Sequence, residues 1–294
     1  MKQMVILSGK GGAGKTSIAA SLAHLAATTH APVLVDADVD AANLELVLAP
    51  QTLEEHVFIG GQLAVIDSER CTRCGRCEAV CRFGAILALD GHFRVDPISC
   101  EGCTACATQC PVEAISLVER QSGKWYRSDT RFGPLFHASL FPGQENSGKL
   151  VTTLRQQAML WAAEKQHDLI IIDGPPGIGC PVISASVGTD LVLLVIEPSA
   201  AGLHDAERAL DAARHWGIPT VACINKADIS PAQSSAVEAF CRESNLKVLG
   251  RIPFDLQVPH AMVKAMPITL YDPQATAAKA IYALWEELHS LISG

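Results

Sequence analysis

At 294 residues, with 49% hydrophobic and 18% charged side chains, the chain has the length and proportions of one large α/β domain, or of one domain carrying a small insert, which argues against disordered, collagen-like and disulfide-scaffold classes. Its 31 acidic against 23 basic side chains leave a net charge of −8, the wrong sign for an electrostatic nucleic-acid footprint, so no nucleic-acid partner is expected. No stretch approaches the ~20 apolar residues of a membrane-spanning helix, no signal peptide is read at residues 1–3, and eight of the eleven cysteines sit in two tight clusters, so metal ligation in a reducing cytoplasm is expected rather than disulfides.

In chain order, the first apolar run, 4–7, lacks polar alternation and reads as a strand buried on both faces. Directly behind it, GKGGAGKT at 9–16 fits G-x-x-x-x-G-K-[ST] and leads into a helix expected over 16–27, the context a phosphate cradle requires. Gly9, Gly11, Gly12, Ala13 and Gly14 would let backbone N–H groups wrap the phosphates, and Lys15 would reach the β- and γ-phosphates. The Thr16 hydroxyl would coordinate Mg²⁺, with Ser17 beside it in the nucleotide-binding set. A second strand, 33–35, ends in Asp36-Ala37-Asp38; the same two carboxylates could simply cap the next helix.

From 62 to 119 the rhythm breaks into a cysteine-rich interval with an internal repeat of about thirty residues. Cys71, Cys74, Cys77 and Cys81 are spaced C-x-x-C-x-x-C-x-x-x-C, and Cys100, Cys103, Cys106 and Cys110 repeat that spacing before Pro111. Paired C-x-x-C sequences also make zinc sites, although a third cysteine in each run suits a cubane better. The expected organisation is therefore 1–61 and 120–294 as two parts of one domain, with 62–119 inserted between them.

The stretch 124–148 has no clear assignment; Trp125, Tyr126, Arg131 and Phe132 there either close a core or form a docking surface. Residues 145–149 open a helix over 150–163, with Ser147 as its N-cap and Leu150, Val151, Leu154, Ala158 and Trp161 on one face. Strands follow at 169–172, 191–196, 220–224 and 248–252, and helices at 203–214, 231–244 and 276–292. Alternation of this kind predicts a mostly parallel sheet with helices on both faces, plus a small α+β insert. In the last helix, Ile281, Leu284, Trp285, Leu288 and Ile292 form a stripe beside Glu286 and Glu287; acidic flanks favour core packing over a membrane anchor. Cys223 and Cys241 read as packing residues, and Cys180 as either a functional thiolate or a small buried residue.

Lys10 directly after Gly9, the sequence Val35-Asp36-Ala37-Asp38 with Asn43 beyond it, and LIIIDGPPG at 169–177 together resemble the deviant Walker A ATPases, the family of MinD, ParA, Mrp and the nitrogenase iron protein. The resemblance implies ATP and Mg²⁺ sandwiched in an ATP-dependent homodimer, with Lys10 reaching the partner subunit's nucleotide and joining Lys15 and Asp38 as catalytic residues. It further implies that Asp38 positions the attacking water, Asp173 is an outer-shell Mg²⁺ carboxylate and Gly177 senses the γ-phosphate. Asn225-Lys226-Ala227-Asp228 has the N-K-x-D spacing with which regulatory GTPases read guanine, so base identity stays open. In the resembled family Asn225 would contact adenine, with Lys226 beside it and the segment 251–255, including Pro253, packed on the base.

The double cysteine run resembles the bacterial two-cluster ferredoxin, which implies two [4Fe–4S] clusters with exchanged fourth ligands: Cys71, Cys74, Cys77 and Cys110 for one, Cys81, Cys100, Cys103 and Cys106 for the other. Arg82 departs from that pattern by standing where proline is usual. The leading expectation is an ATPase that couples dimerisation to electron transfer into a redox or cofactor-carrying partner protein. A metal-cofactor or cluster carrier, and a ParA- or MinD-like positioning ATPase with redox-sensing clusters, are the alternatives.

Overall fold

The computed structural model describes residues 1–144 and 147–293, which form two compact units. The larger comprises Met1–His56, Trp125–Ser139 and Ser147–Gly294, and the smaller Val57–Lys124 with Leu140–Asn146. In chain order the elements begin β1 (Lys2–Ser8), α1 (Lys15–Ala26), β2 (Pro32–Asp36), α2 (Leu44–Leu48) and β3 (Gln51–Ile66). The cysteine-bearing part contributes α3 (Arg76–Val80), β4 (Ile86–Leu89), β5 (His92–Val95) and α4 (Ala105–Thr108), after which β6 (Ile115–Thr130) and β7 (Gly133–Leu140) follow. The chain closes with α5 (Ser147–Glu164), β8 (Leu169–Pro176), α6 (Cys180–Ser186), β9 (Leu191–Ile196), α7 (Ala200–His215), β10 (Thr220–Asn225), α8 (Pro231–Glu243), β11 (Lys247–Ile252), α9 (Gln257–Val263), α10 (Ile268–Tyr271) and α11 (Thr276–Ser293).

Nine strands form one sheet in the order β11-β10-β9-β1-β8-β2-β7-β6-β3. From β11 to β7 every pairing is parallel. Parallel neighbours require crossover connections, and α1, α7 and α8 lie in such crossovers. Met4, Ile6, Leu34, Ile171 and Leu193 enter one core with residues of α1 and α11. Their alternates Val5, Ile172 and Leu194 are just as buried, so both faces are covered and the strands read as unbroken apolar runs. Register aligns the carboxyl ends: Asp173 lies opposite Asp36 on one neighbour and Ile6 on the other. The crossover from β1 runs past β8 to β2 and the crossover from β8 runs the other way, past β1 to β9, so the crevice above the carboxyl ends of β1 and β8 is the place where this architecture binds ligands.

The six expected strands and five expected helices all form, and the apolar stripe of α11 is buried as read. The stretch around 124–148 holds the end of β6 and all of β7, joined by two residues, a link short enough only for an antiparallel hairpin. Phe132, in that link, is buried in the main core, so it closes the core rather than offering a docking ring. Residues 145 and 146, expected to open α5, lie outside the described residues; among the described residues α5 runs from Ser147, which is itself helical. No helix among the described residues is long and apolar enough to cross a membrane.

The smaller unit is a duplicated structure at the level of single hydrogen bonds. Asp67 N donates to Ala114 O at 2.8 Å and Asp96 N to Ala85 O at 2.7 Å; Cys71 N donates to Asp67 O and Cys100 N to Asp96 O. Left-handed backbone recurs 29 residues apart, at Arg73 and Gly102, Gly75 and Thr104, Gly84 and Glu113. Between the copies, β4 and β5 pair antiparallel through Asp90-Gly91, whose φ values of 50° and 75° suit a type I′ turn.

Candidate functional site

Three segments reach the carboxyl edge of the sheet in the larger unit: the 9–16 loop after β1, the 36–43 loop after β2 and the turn after β8. With the ends of β10 and β11 they enclose a cavity of about 680 Å³. Gly11, Gly12, Gly14, Lys15, Thr16, Ser17, Asp38, Asn225, Lys226 and Pro253 all line it, so the structure brings most of the sequence-derived nucleotide set together. Ala13 sits behind the wall, where its carbonyl accepts from Asn225 Nδ2 at 2.7 Å. Gly9 packs on α7, where a Cβ would lie 2.1 Å from Cβ of Asp205. Gly177 lies outside the lining, its N–H donating to Ser8 O at 3.2 Å, and its φ of 88° favours glycine.

The 9–16 loop places α1 with its first N–H groups toward the cavity, and Gly12 and Gly14 have φ of 80° and 93°. A side chain at Gly14 would collide with the Asn225 amide. Lys15 is buried, its Nζ donating to Ser8 Oγ at 3.0 Å, while Ser8 Oγ donates to Lys10 O at 2.7 Å. Among the described residues Ser8 Oγ accepts from this buried ammonium, whose charge also acts on Asp173 and Asp38, and a cation so placed is suited to an anion.

Asp173 is 1% exposed, and among the described residues neither of its carboxylate oxygens has a partner at full hydrogen-bond geometry, although the Thr16 side chain lies close enough to pull the carboxyl down. Burial pushes this carboxyl up to about 6, against the downward pull of Thr16 and Lys15. An orphaned carboxylate beside a helix-start threonine suits a hydrated divalent cation. Asp36, fully buried, takes the capping role: its oxygens accept from the N–H groups of Asp38, Asn43 and Leu44 at 3.1, 3.1 and 2.9 Å, shaping the loop that carries Asp38. Burial, then Asp173, raises its carboxyl well above the usual range. Asp38 is half-buried on the cavity wall, and burial raises it too.

Glu197, at the end of β9, is a residue the sequence reading misses. Its carboxylate pairs with Lys10 Nζ at 2.8 Å and Lys226 Nζ at 3.2 Å, while Lys226 also donates to Gly12 O at 2.9 Å. Burial opposes its ionisation, but the two lysines prevail and hold the carboxyl below its ordinary value. An acidic residue ending a buried parallel strand beside the phosphate loop is the signal that could have found it. Asp228, the last residue of N-K-x-D, accepts from Phe254 N–H at 2.6 Å, and it does not line the cavity.

In the smaller unit, two further cavities divide the eight cysteines. Cys71, Cys74, Cys77 and Cys110 line one, with Phe93 and Pro111; Cys81, Cys100, Cys103 and Cys106 line the other, with Phe83. Each set takes its fourth cysteine from the other run. The two crossing residues are held alike: Cys81 Sγ accepts from Ala85 N–H and Cys110 Sγ from Ala114 N–H, both at 3.3 Å. Burial raises the Cys77 and Cys106 thiols. Each set lines a cavity of its own, and no three His, Cys, Asp or Glu among the described residues are placed to grip a single metal ion. Arg82 is exposed and absent from the lining of the Cys81 cavity.

The remaining cysteines separate by exposure. Cys223 and Cys241 are buried, and burial pushes their thiols up to about 12 and about 11, as befits packing residues. Cys180 is exposed at the start of α6, so it is not the small buried residue of one reading.

Residues 4–268 match the family described as the CobQ/CobB/MinD/ParA nucleotide binding domain. The chain is 34% identical over 290 residues, 99% of its own length and 97% of the relative's, to an uncharacterized protein of Methanocaldococcus jannaschii. It is 26% identical over 305 residues to the iron-sulfur cluster carrier protein of Pyrococcus horikoshii, covering 97% of this chain and 85% of that one. Its fold matches the septum site-determining protein MinD complexed with Mg-ADP from Pyrococcus horikoshii, with a TM-score of 0.61, 18% identity and coverage of 99% and 96%.

Proposed function

The chain belongs to the CobQ/CobB/MinD/ParA nucleotide-binding family, and from that premise we propose that it is an ATP-hydrolysing iron–sulfur cluster carrier. The observation that carries the reading is the pair of four-cysteine cavities on a chain that also bears a phosphate cradle. Relatives named as cluster carriers align along nearly the whole chain, which favours carriage over the expected electron transfer to a partner. In this reading residues 62–119 are a ferredoxin-like insert between two parts of the ATPase domain, 1–61 and 120–294. Four cysteines lining one cavity suit a polynuclear cluster better than one tetrahedral zinc. The two proposed [4Fe–4S] sets are Cys71, Cys74, Cys77, Cys110 and Cys81, Cys100, Cys103, Cys106.

In the larger unit, Lys15 and the amides of the 9–16 loop hold the phosphates. Mg²⁺, held by Thr16 and through water by Asp173, would neutralise phosphate charge as it builds on the leaving oxygens. Asp38 orients the attacking water. ATP is favoured over GTP because Asp228 is committed to the Phe254 N–H, leaving Asn225 and the Pro253 segment to meet adenine. Glu197 holds Lys10 within its own chain, and exchanging that carboxylate for a partner subunit's phosphate would make dimerisation dependent on ATP. Carriage then consists of loading clusters in one nucleotide state and releasing them to an acceptor in the other.

Anaerobic reconstitution followed by iron and sulfide assay tests the ligand sets. The reading predicts about eight iron atoms per chain, falling to about four in either Cys110→Ala or Cys81→Ala. The EPR signal that survives in Cys110→Ala should disappear when Cys103→Ala is added. Survival of that signal in the double variant, or zinc in place of iron and sulfide, would contradict it.

A further inference from the structure

A polar series in the larger unit, buried at His137 and Ser128 and open to solvent at Glu45 and Thr52, has no part in the scheme above. Glu45, on α2, meets His137 Nδ1 at 3.1 Å; His137 Nε2 lies 2.8 Å from Ser128 Oγ, which lies 3.3 Å from Thr52 Oγ1. His137 is 5% and Ser128 0% exposed. An acid–histidine–serine series is also the geometry of a hydrolytic triad, but a serine with no accessible surface cannot meet a substrate. Burial lowers the His137 imidazole, with Glu45 opposing, so the ring is neutral at neutral pH. In that state His137 Nδ1–H donates to Glu45 and the Ser128 hydroxyl donates to His137 Nε2, with Thr52 Oγ1 3.3 Å from Ser128 Oγ, so both ring nitrogens are satisfied.

Both ends of the series are significant. Glu45 follows Asn43 and Leu44, whose N–H groups are fixed by Asp36, and the loop that carries Asp38 past the nucleotide cavity therefore runs directly into α2. Ser128 and Thr52 lie on β6 and β3, the two strands that continue along the chain into the cysteine-bearing unit. His137 and Ser128 are buried, so a movement of α2 that withdraws Glu45 costs the His137 ring a partner unless the ring and β6 move with it.

We propose that His137 is a positioning residue that couples the Asp38 loop to β3 and β6, so that the nucleotide state is transmitted along these strands toward the cysteine clusters. The inference rests on the nucleotide reading above. His137 acts through Glu45 on α2 and through Ser128 on the strands, and it touches neither nucleotide nor cluster.

Hydrogen–deuterium exchange of the full chain, with and without a non-hydrolysable Mg-ATP analogue, separates the two claims. In the unaltered protein, protection is expected on 9–18 and also on 57–66 and 115–124, where exchange should slow by about five-fold or more. Glu45→Ala, at a half-buried position in the first turn of α2, should keep protection on 9–18 and lose it on 57–66 and 115–124. Glu45→Gln, which still accepts from His137 Nδ1–H, should restore it. His137→Phe should behave as Glu45→Ala does. Protection of both strands that persists in Glu45→Ala, or that is missing from the unaltered protein while 9–18 is protected, would overturn the coupling. No protection on 9–18 would overturn the nucleotide reading and the coupling together.

Discussion

Asp173 shows at the residue scale how a site advertises an absent charge. Burial disfavours the Asp173 carboxylate and raises its pKa from 3.8 to about 6, against the downward pull of Thr16 and Lys15. A group raised in the folded state binds its proton more tightly there than in the unfolded chain. Its contribution is therefore full below about 4 and lost as pH rises through about 6. The nucleotide-free protein should lose stability over that interval, Asp36 adding in the same direction, and Asp173→Asn should flatten the loss. Mg²⁺ with ATP should offset it, so the rise in Tm caused by Mg-ATP should be larger at pH 7 than at pH 5. Thermal melts across that range check this; an equal rise at both pH values would contradict the Asp173 assignment. Lys15 and Thr16 are legible from motif spacing because phosphate chemistry fixes their types and order, whereas Asp38 follows from the family resemblance alone. Glu197 is legible from neither, because its partners come from the loops after β1 and β10, far away in sequence.

At the scale of elements, the two cysteine runs are copies, yet their left-handed positions are filled differently. Gly75 has Thr104 as its counterpart, and a β-branched residue at φ 69° is strained where glycine is not. Thr104→Gly should therefore stabilise the smaller unit by about 0.5–1 kcal/mol, the relief of strain exceeding the entropy that glycine adds to the unfolded chain. A urea midpoint that rises with iron content unchanged would bear this out, and a fall would contradict it. Gly102 offers no such freedom in reverse, since a Cβ there would lie 2.2 Å from the Gln62 carbonyl oxygen. The central strands are legible as unbroken apolar runs because both their faces are covered. Strands β3 and β6 are not, since QTLEEHVFIGGQLAVI is exposed over most of its first half and owes its conformation to pairing rather than to a buried face. The exchange of fourth cysteines follows the ferredoxin resemblance, and the two cavities divide in the same way.

For the whole molecule, the account joins a nucleotide cradle in one unit to two cysteine cavities in the other through β3 and β6, which pass from one unit to the other along the chain. Fold class is legible because strand–helix alternation and a phosphate loop after the first strand leave few topologies open. The cellular task is less legible, because the same cysteine spacing serves electron transfer and cluster carriage alike, and no residue type distinguishes them. The direct measurement is transfer of ⁵⁵Fe-labelled clusters from the reconstituted protein to an apo-acceptor that needs a [4Fe–4S] cluster for activity. It should be run with Mg-ATP, with Mg-ADP and with the Lys15→Ala variant. The account predicts that iron and acceptor activity rise together, at least about ten-fold faster with Mg-ATP than with Mg-ADP, and that Lys15→Ala abolishes the difference. An acceptor that is reduced without gaining iron, or iron transfer at one rate under all three conditions, would contradict it.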